Sequence, residues 1–137
     1  MNTFELHILT AEKSFFHGQC ESLIVPSSDG MYGIQANHRN MVAAIVPGTM
    51  EYTPAGEGKK YAAISNGILK MEDNACTILA DTAERPEDID INRARRAAEE
   101  AKEKLLQEQS MSEHKSAEVR IRRELTRIKV SDQFGGR

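Results

Sequence analysis

The chain's 137 residues suit one ordinary domain, or a small domain with an appendage. A formal net charge of −3 and a pI near 5.8 argue against general attraction to nucleic acid, although the stretch after Val119 is locally basic. Cys20 and Cys76 are far apart, with no Cys-x-x-Cys and no paired histidine, which argues against a zinc site and a disulfide framework and favours two free, half-buried thiols.

The start, Met1-Asn2-Thr3-Phe4-Glu5, has neither a basic n-region nor an apolar h-region, so no signal peptide and a cytosolic location are expected. Phe4 to Thr10 alternates apolar and polar at period two, the mark of a strand with one buried face, and puts His7 on the solvent side. Similar runs follow at Cys20 to Val25, Gly30 to Gln35, Met41 to Val46, Thr49 to Thr53, Tyr61 to Ile64, Gly67 to Met71 and Ala75 to Ala80. Met41 to Val46, the longest apolar run, is far short of the roughly 20 residues that span a bilayer, so any membrane association is expected through partners. The separators, among them Ser28-Asp29-Gly30, Pro47-Gly48, Asn66-Gly67 and Glu72-Asp73-Asn74, supply positive φ or pre-set turn geometry. Strands spaced about ten residues apart, with no amphipathic stretch long enough for a crossover helix, predict antiparallel hairpins in a sandwich or barrel.

Chemistry is hard to find in this half. Gly56-Glu57-Gly58-Lys59-Lys60 lacks the four-residue glycine spacing and the Ser or Thr of a phosphate loop, so it reads as a hairpin tip. His7, His17, His38 and His114 accompany no nucleophile elbow, and no carboxylate pair or ligand cluster has usable spacing. No catalytic centre is expected.

At Glu84 the composition changes. The first 83 residues carry 14 charged side chains and the rest carry 25, and Phe134 is the only aromatic beyond the junction. A boundary between 1–84 and 85–137 follows. Ile91, Ala94, Ala98, Ala101 and Leu105 form one stripe of a helix running to about Gln109, roughly 28 Å long. Asp90 is its N-cap candidate, with Asp88 the competitor. Ser110-Met111-Ser112-Glu113 offers a capping box for a second helix, on which Ala117, Ile121, Leu125 and Ile128 share a face. The short connection predicts an antiparallel pair, and a mostly alanine seam predicts weak pairing and easy opening.

Arg93 and Arg96 fall on the first helix; Arg120, Arg122, Arg123, Arg127 and Lys129 crowd the second. Three uses stand side by side. They are solvation with local pairing to Glu99, Glu118 and Glu124; a phosphate site made by Arg93, Arg123 and Arg127; and docking on an acidic partner surface.

Three stretches carry a resemblance across essentially the whole chain. They are Gly30-Met31-Tyr32-Gly33-Ile34 with His38 and Pro47-Gly48; Ser65-Asn66-Gly67-Ile68-Leu69 with Leu79-Ala80-Asp81-Thr82-Ala83; and Ile89-Asp90-Ile91-Asn92-Arg93-Ala94. In that order and spacing the chain resembles the epsilon subunit of the bacterial F-type ATP synthase. The resemblance implies an antiparallel β-sandwich of about ten strands followed by a mobile two-helix hairpin. It also implies a non-catalytic rotor subunit that binds the gamma subunit and the c-subunit ring, at the cytoplasmic face of the membrane and without inserting into it. The Gly30 to Asn40 loop would lie toward the c ring with Met31 and His38 as contacts, a loop histidine held by hydrogen bonds being the other reading of His38. Where family members follow the histidine with Ala-Pro-Leu, this chain has Arg39-Asn40-Met41.

By the same resemblance the hairpin would extend toward the alpha and beta subunits and restrain ATP hydrolysis, with Arg120, Arg122, Arg123, Arg127 and Lys129 meeting an acidic segment of beta. In the compact form ATP would act as a regulatory ligand of Glu84, Ile89, Asp90, Arg93, Ala94, Arg123 and Arg127, no cofactor being required. A further first-helix arginine of such members is Glu100 here. The rival reading is a free-standing ATP sensor, separable from a stalk subunit by co-purification with gamma and the ring.

Overall fold

The computed structural model describes residues 2–105 and 111–135. Alternation places Phe4, Leu6 and Ile8 on one face of β1 (Phe4–Thr10), and all three are fully buried. Seven further strands coincide with the runs expected from periodicity: β2 (Ser14–Ser27), β3 (Gly30–Gln35), β4 (Met41–Ile45), β5 (Gly48–Pro54), β6 (Lys60–Ile64), β7 (Gly67–Glu72) and β8 (Ala75–Ala80). The two-residue β9 (Ala83–Glu84) completes the nine strands among the described residues, close to the expected ten.

β2 is more than twice as long as its Cys20 to Val25 core. Its first half pairs with β1 and its second half with β3 and β5, with an irregularity between Cys20 and Ser22. It therefore runs through both layers, one built on β1, β8, β7 and β4, the other on β3, β5, β6 and β9. Between them lies one core that includes Phe4, Leu6, Ile8, Leu23, Met50, Ile64, Leu69 and Ile78.

One pairing departs from the antiparallel expectation. β1 and β8 run parallel, from Glu5 against Ala75 to Thr10 against Ala80. No crossover helix is needed, because six intervening strands form the connection and the first strand meets β8 as the body closes.

Turn chemistry follows the sequence in one place and departs from it in another. Asp73 (φ 51°) and Asn74 (φ 63°) form the two-residue β7–β8 turn, the left-handed pair that asparagine and aspartate tolerate. The Asn74 side chain also accepts from the Asn37 amide at 2.7 Å and donates to the Thr3 carbonyl at 3.0 Å, clipping the 36–40 loop to the body. Gly67 serves close approach instead: a Cβ there would collide with the Leu79 carbonyl oxygen.

Past β9 a single 3-10 turn (Pro86–Asp88) leads to α1 (Ile91–Leu105). The Arg93 amide donates to Asp90 Oδ1 at 3.0 Å and the Ala94 amide to the Asp90 carbonyl at 3.0 Å, so Asp90, and not Asp88, is the N-cap. The stripe is as expected, with Ala94, Ala98 and Ala101 buried. α2 (Met111–Phe134) packs along α1 and against β5, β6 and the 3-10 turn. The expected helix end at Gln109 and the capping box starting at Ser110 lie outside the described residues.

The face expected on α2 is rotated. Ala117 and Val130 are buried, whereas Leu125 is 43% exposed and Glu124 occupies the inward position. The cause is electrostatic: Arg127 turns toward Glu84, and Glu124, three residues back, turns inward to meet it. Phe134 anchors the far end, its ring stacked on Tyr61 of β6 with centroids 4.1 Å apart.

Candidate functional site

Where α1, α2 and the sandwich meet, a cavity of about 680 Å³ opens. The Thr10–Lys13 turn and the Asp81–Glu84 segment form its floor, α1 contributes Arg93, Ala94 and Ala97, and α2 contributes Arg120, Arg123, Glu124 and Arg127. Each helix delivers its residues through the three-and-four spacing of one face. Of the residues expected to take ATP, Glu84, Asp90, Arg93, Ala94, Arg123 and Arg127 line this cavity together; Ile89 lies outside its lining.

The cations differ in how they are engaged. Arg127 points Nε at Glu84 and donates through Nη1 to both Glu124 oxygens, at 2.5 and 2.6 Å. Burial opposes its charge, but the Glu124 hydrogen bonds and the Glu84 charge outweigh burial and hold the guanidinium above its ordinary range. Arg120 meets Glu100 across the helix pair at 3.8 Å. Arg93 and Arg123 form no ion pair among the described residues, and Arg123 Nε is buried with no hydrogen-bond partner there. Two guanidiniums thus remain for a phosphate, where three were expected.

The residues expected to meet the beta subunit divide in this arrangement. Arg120, Arg123 and Arg127 line the cavity, while Arg122 and Lys129 border a shallow outer groove with Ile121 and Leu125. Of the expected arginine pairs, Glu124 meets Arg127 but in a buried setting, whereas Glu99 pairs with Lys102, at 3.8 Å, which was not among the partners expected for it.

The candidate c-ring contacts lie elsewhere. Gly30–Gln35 is strand β3, not loop, and Met31 is 62% exposed on it. His38 sits in the turn after β3 with Nδ1 3.0 Å from the Arg39 carbonyl and Nε2 3.4 Å from the Tyr32 hydroxyl, its ring edge-on to Tyr32. Both nitrogens have partners, so hydrogen bonding fixes the ring that the loop presents.

Sequence reasoning named Glu124 only as a surface partner. Its i, i+3 spacing from Arg127 was legible, but its burial was not, because burial depends on Glu84 arriving from β9. Cys20 and Cys76 are free as expected but fully buried and not half-buried, and burial pushes both thiols up to about 12, which opposes thiolate formation. No described helix is long and apolar enough to cross a membrane.

Comparison with known proteins matches both parts in order. Residues 3–86 match the family described as ATP synthase, Delta/Epsilon chain, beta-sandwich domain, and residues 87–132 match its long alpha-helix domain. An ATP synthase epsilon chain of Caldanaerobacter subterraneus subsp. tengcongensis is 38% identical, over 96% of each chain. One from Ruminococcus albus is 39% identical over 97% of this chain and 99% of its own. Among solved structures, a chain of the Euglena gracilis mitochondrial ATP synthase (OSCP/F1/c-ring, rotational state 1) shares the fold with a TM-score of 0.75 at 22% identity, covering 89% of this chain and 77% of that one. A chain of the Tetrahymena thermophila mitochondrial ATP synthase central stalk and c ring does so with a TM-score of 0.68 at 16% identity, covering 93% and 95%. A strand body and a helical arm, each recognised in its own right and joined at Pro86–Glu87, carry this likeness from end to end, and the chain belongs to the ATP synthase delta/epsilon family of non-catalytic subunits.

Proposed function

We propose that this chain turns with the central stalk of an F-type ATP synthase, coupling ion translocation in the membrane sector to ATP synthesis in the soluble head. The sandwich binds the gamma subunit and the c ring, with Met31 and His38 on the ring side, at the cytoplasmic face of the membrane. The arm, when extended, lays its basic α2 residues on the head and restrains ATP hydrolysis; ATP, bound to the closed arm, opposes that extension. A ligand that binds only the closed arm shifts the balance by its differential affinity and no more.

The observation carrying this reading is the cavity at the junction, where Arg93 of α1 and Arg123 of α2 converge over the Asp81–Glu84 floor. A ligand bridging them would tie both helices to the sandwich. The test is a crosslink between Tyr61→Cys and Phe134→Cys, whose parent rings stack, in the assembled enzyme with and without ATP. ATP is expected to raise the crosslink yield, and the crosslinked enzyme to hydrolyse ATP without restraint. A yield indifferent to ATP overturns the nucleotide reading; an assembly that stays coupled without the chain overturns the stalk reading.

A further inference from the structure

Among the described residues Glu124 is the only buried charged side chain, 4% exposed. A carboxylate in such a place is retained only when paired, and its partner is Arg127, whose Nη1 donates to both oxygens. Glu84 takes the other side of the same guanidinium. Two carboxylates around one guanidinium leave a local excess of negative charge, on the wall of a cavity whose unpaired guanidiniums among the described residues are those of Arg93 and Arg123. An incoming phosphate would meet Arg127 already satisfied, and would meet the charge of Glu124 as repulsion.

We propose that Glu124 is a built-in anion that takes the place of a phosphate on Arg127, so that the arm closes without nucleotide and nucleotide binds against it. The first half stands on the ion network alone; the second rests on the nucleotide reading above. Glu124 thereby sets the nucleotide concentration at which the arm responds, and phosphate recognition falls to Arg93 and Arg123.

Hydrogen exchange of α2 in the full chain, without nucleotide, tests the first half on the wild type, Glu124→Gln, Arg127→Gln and the double variant. Each single variant is expected to open α2 roughly tenfold or more, and the double to be no more open than the worse single, since either change removes the same pair. Unchanged α2 protection in the single variants, or effects that multiply in the double, overturns the proposal. Should Glu124→Gln not yield folded protein, Arg127→Gln reads the pair from its other side, and α2 as protected as in the wild type overturns it equally.

The second half is read by calorimetric titration of ATP into chains locked closed by the crosslink of Tyr61→Cys with Phe134→Cys. Glu124→Gln is expected to tighten binding by roughly tenfold through loss of one nearby like charge. Equal or weaker affinity overturns it. If ATP binds neither protein the nucleotide reading falls, taking the second half with it, while the exchange result still decides whether Glu124 is the built-in anion.

Discussion

Ala101 lies fully buried in the α1 stripe, and replacing it with leucine tests whether the arm opens as a unit separate from the sandwich. The seam between α1 and α2 is lined by Ala94, Ala98, Ala101 and Ala117, so three added carbons have no space to enter. Overpacking of this kind costs about 1–3 kcal/mol, and at roughly 1.4 kcal/mol per tenfold the open arm becomes about 5- to 150-fold more populated. The sandwich should not register the change, because its core draws on Phe4, Leu6, Ile8 and Ile78 and on none of the helix alanines. Hydrogen exchange read by mass spectrometry is the assay: peptides from residues 91–104 and 116–135 should lose protection while those from β1 to β8 keep it. Equal loss in both parts, or none in the helices, would refute the view that an alanine seam and a few anchors hold the arm.

The Tyr61–Phe134 stack should show a coupling of about 0.5–1.5 kcal/mol in arm opening, measured by a cycle of Tyr61→Ala and Phe134→Ala, and strictly additive losses would count against it. Asn74→Ala should free the 36–40 loop by removing its bonds to Asn37 and Thr3, lowering stability by about 1–3 kcal/mol and weakening assembly with the c ring; a pull-down at wild-type strength would contradict that. Because burial lifts both thiols to about 12, the folded chain keeps protons that the unfolded chain sheds above the ordinary thiol range. Stability should therefore fall as pH rises from about 9 toward 12, by at most ~1.4 kcal/mol per unit for each thiol, and denaturant titration of a Cys20→Ala, Cys76→Ala variant should lack that decline.

What could be read from the sequence was what local physics decides. Strand alternation, the Asp73–Asn74 turn, the alanine stripe and the Asp90 cap are each written within a few neighbouring residues, and each stands as expected. What escaped depends on distant segments. The parallel β1–β8 pairing exists because the body closes on itself, and β9 is too short to show alternation. Leu125 was assigned inward on hydrophobicity, yet the Glu84 carboxylate from β9 draws Arg127, and with it Glu124, to that side of the helix. For the site, six of the seven residues named for nucleotide converge on one cavity, but the engagement of Arg127 and the pairing of Glu100 with Arg120 depend on how α1, α2 and β9 pack together, which no local pattern encodes.

The passage of β2 through both layers bears on how the body would carry load in the stalk role proposed above. Separate sheets held only by side-chain packing can shear, since dispersion contacts resist sliding weakly. Here fourteen consecutive residues, Ser14–Ser27, belong first to one layer and then to the other, so a twist applied to either reaches the other through covalent backbone and its flanking ladders. The irregularity between Cys20 and Ser22 interrupts the β2–β5 ladder where the strand passes from one layer to the other, so a twist carried along this backbone would concentrate at that bend.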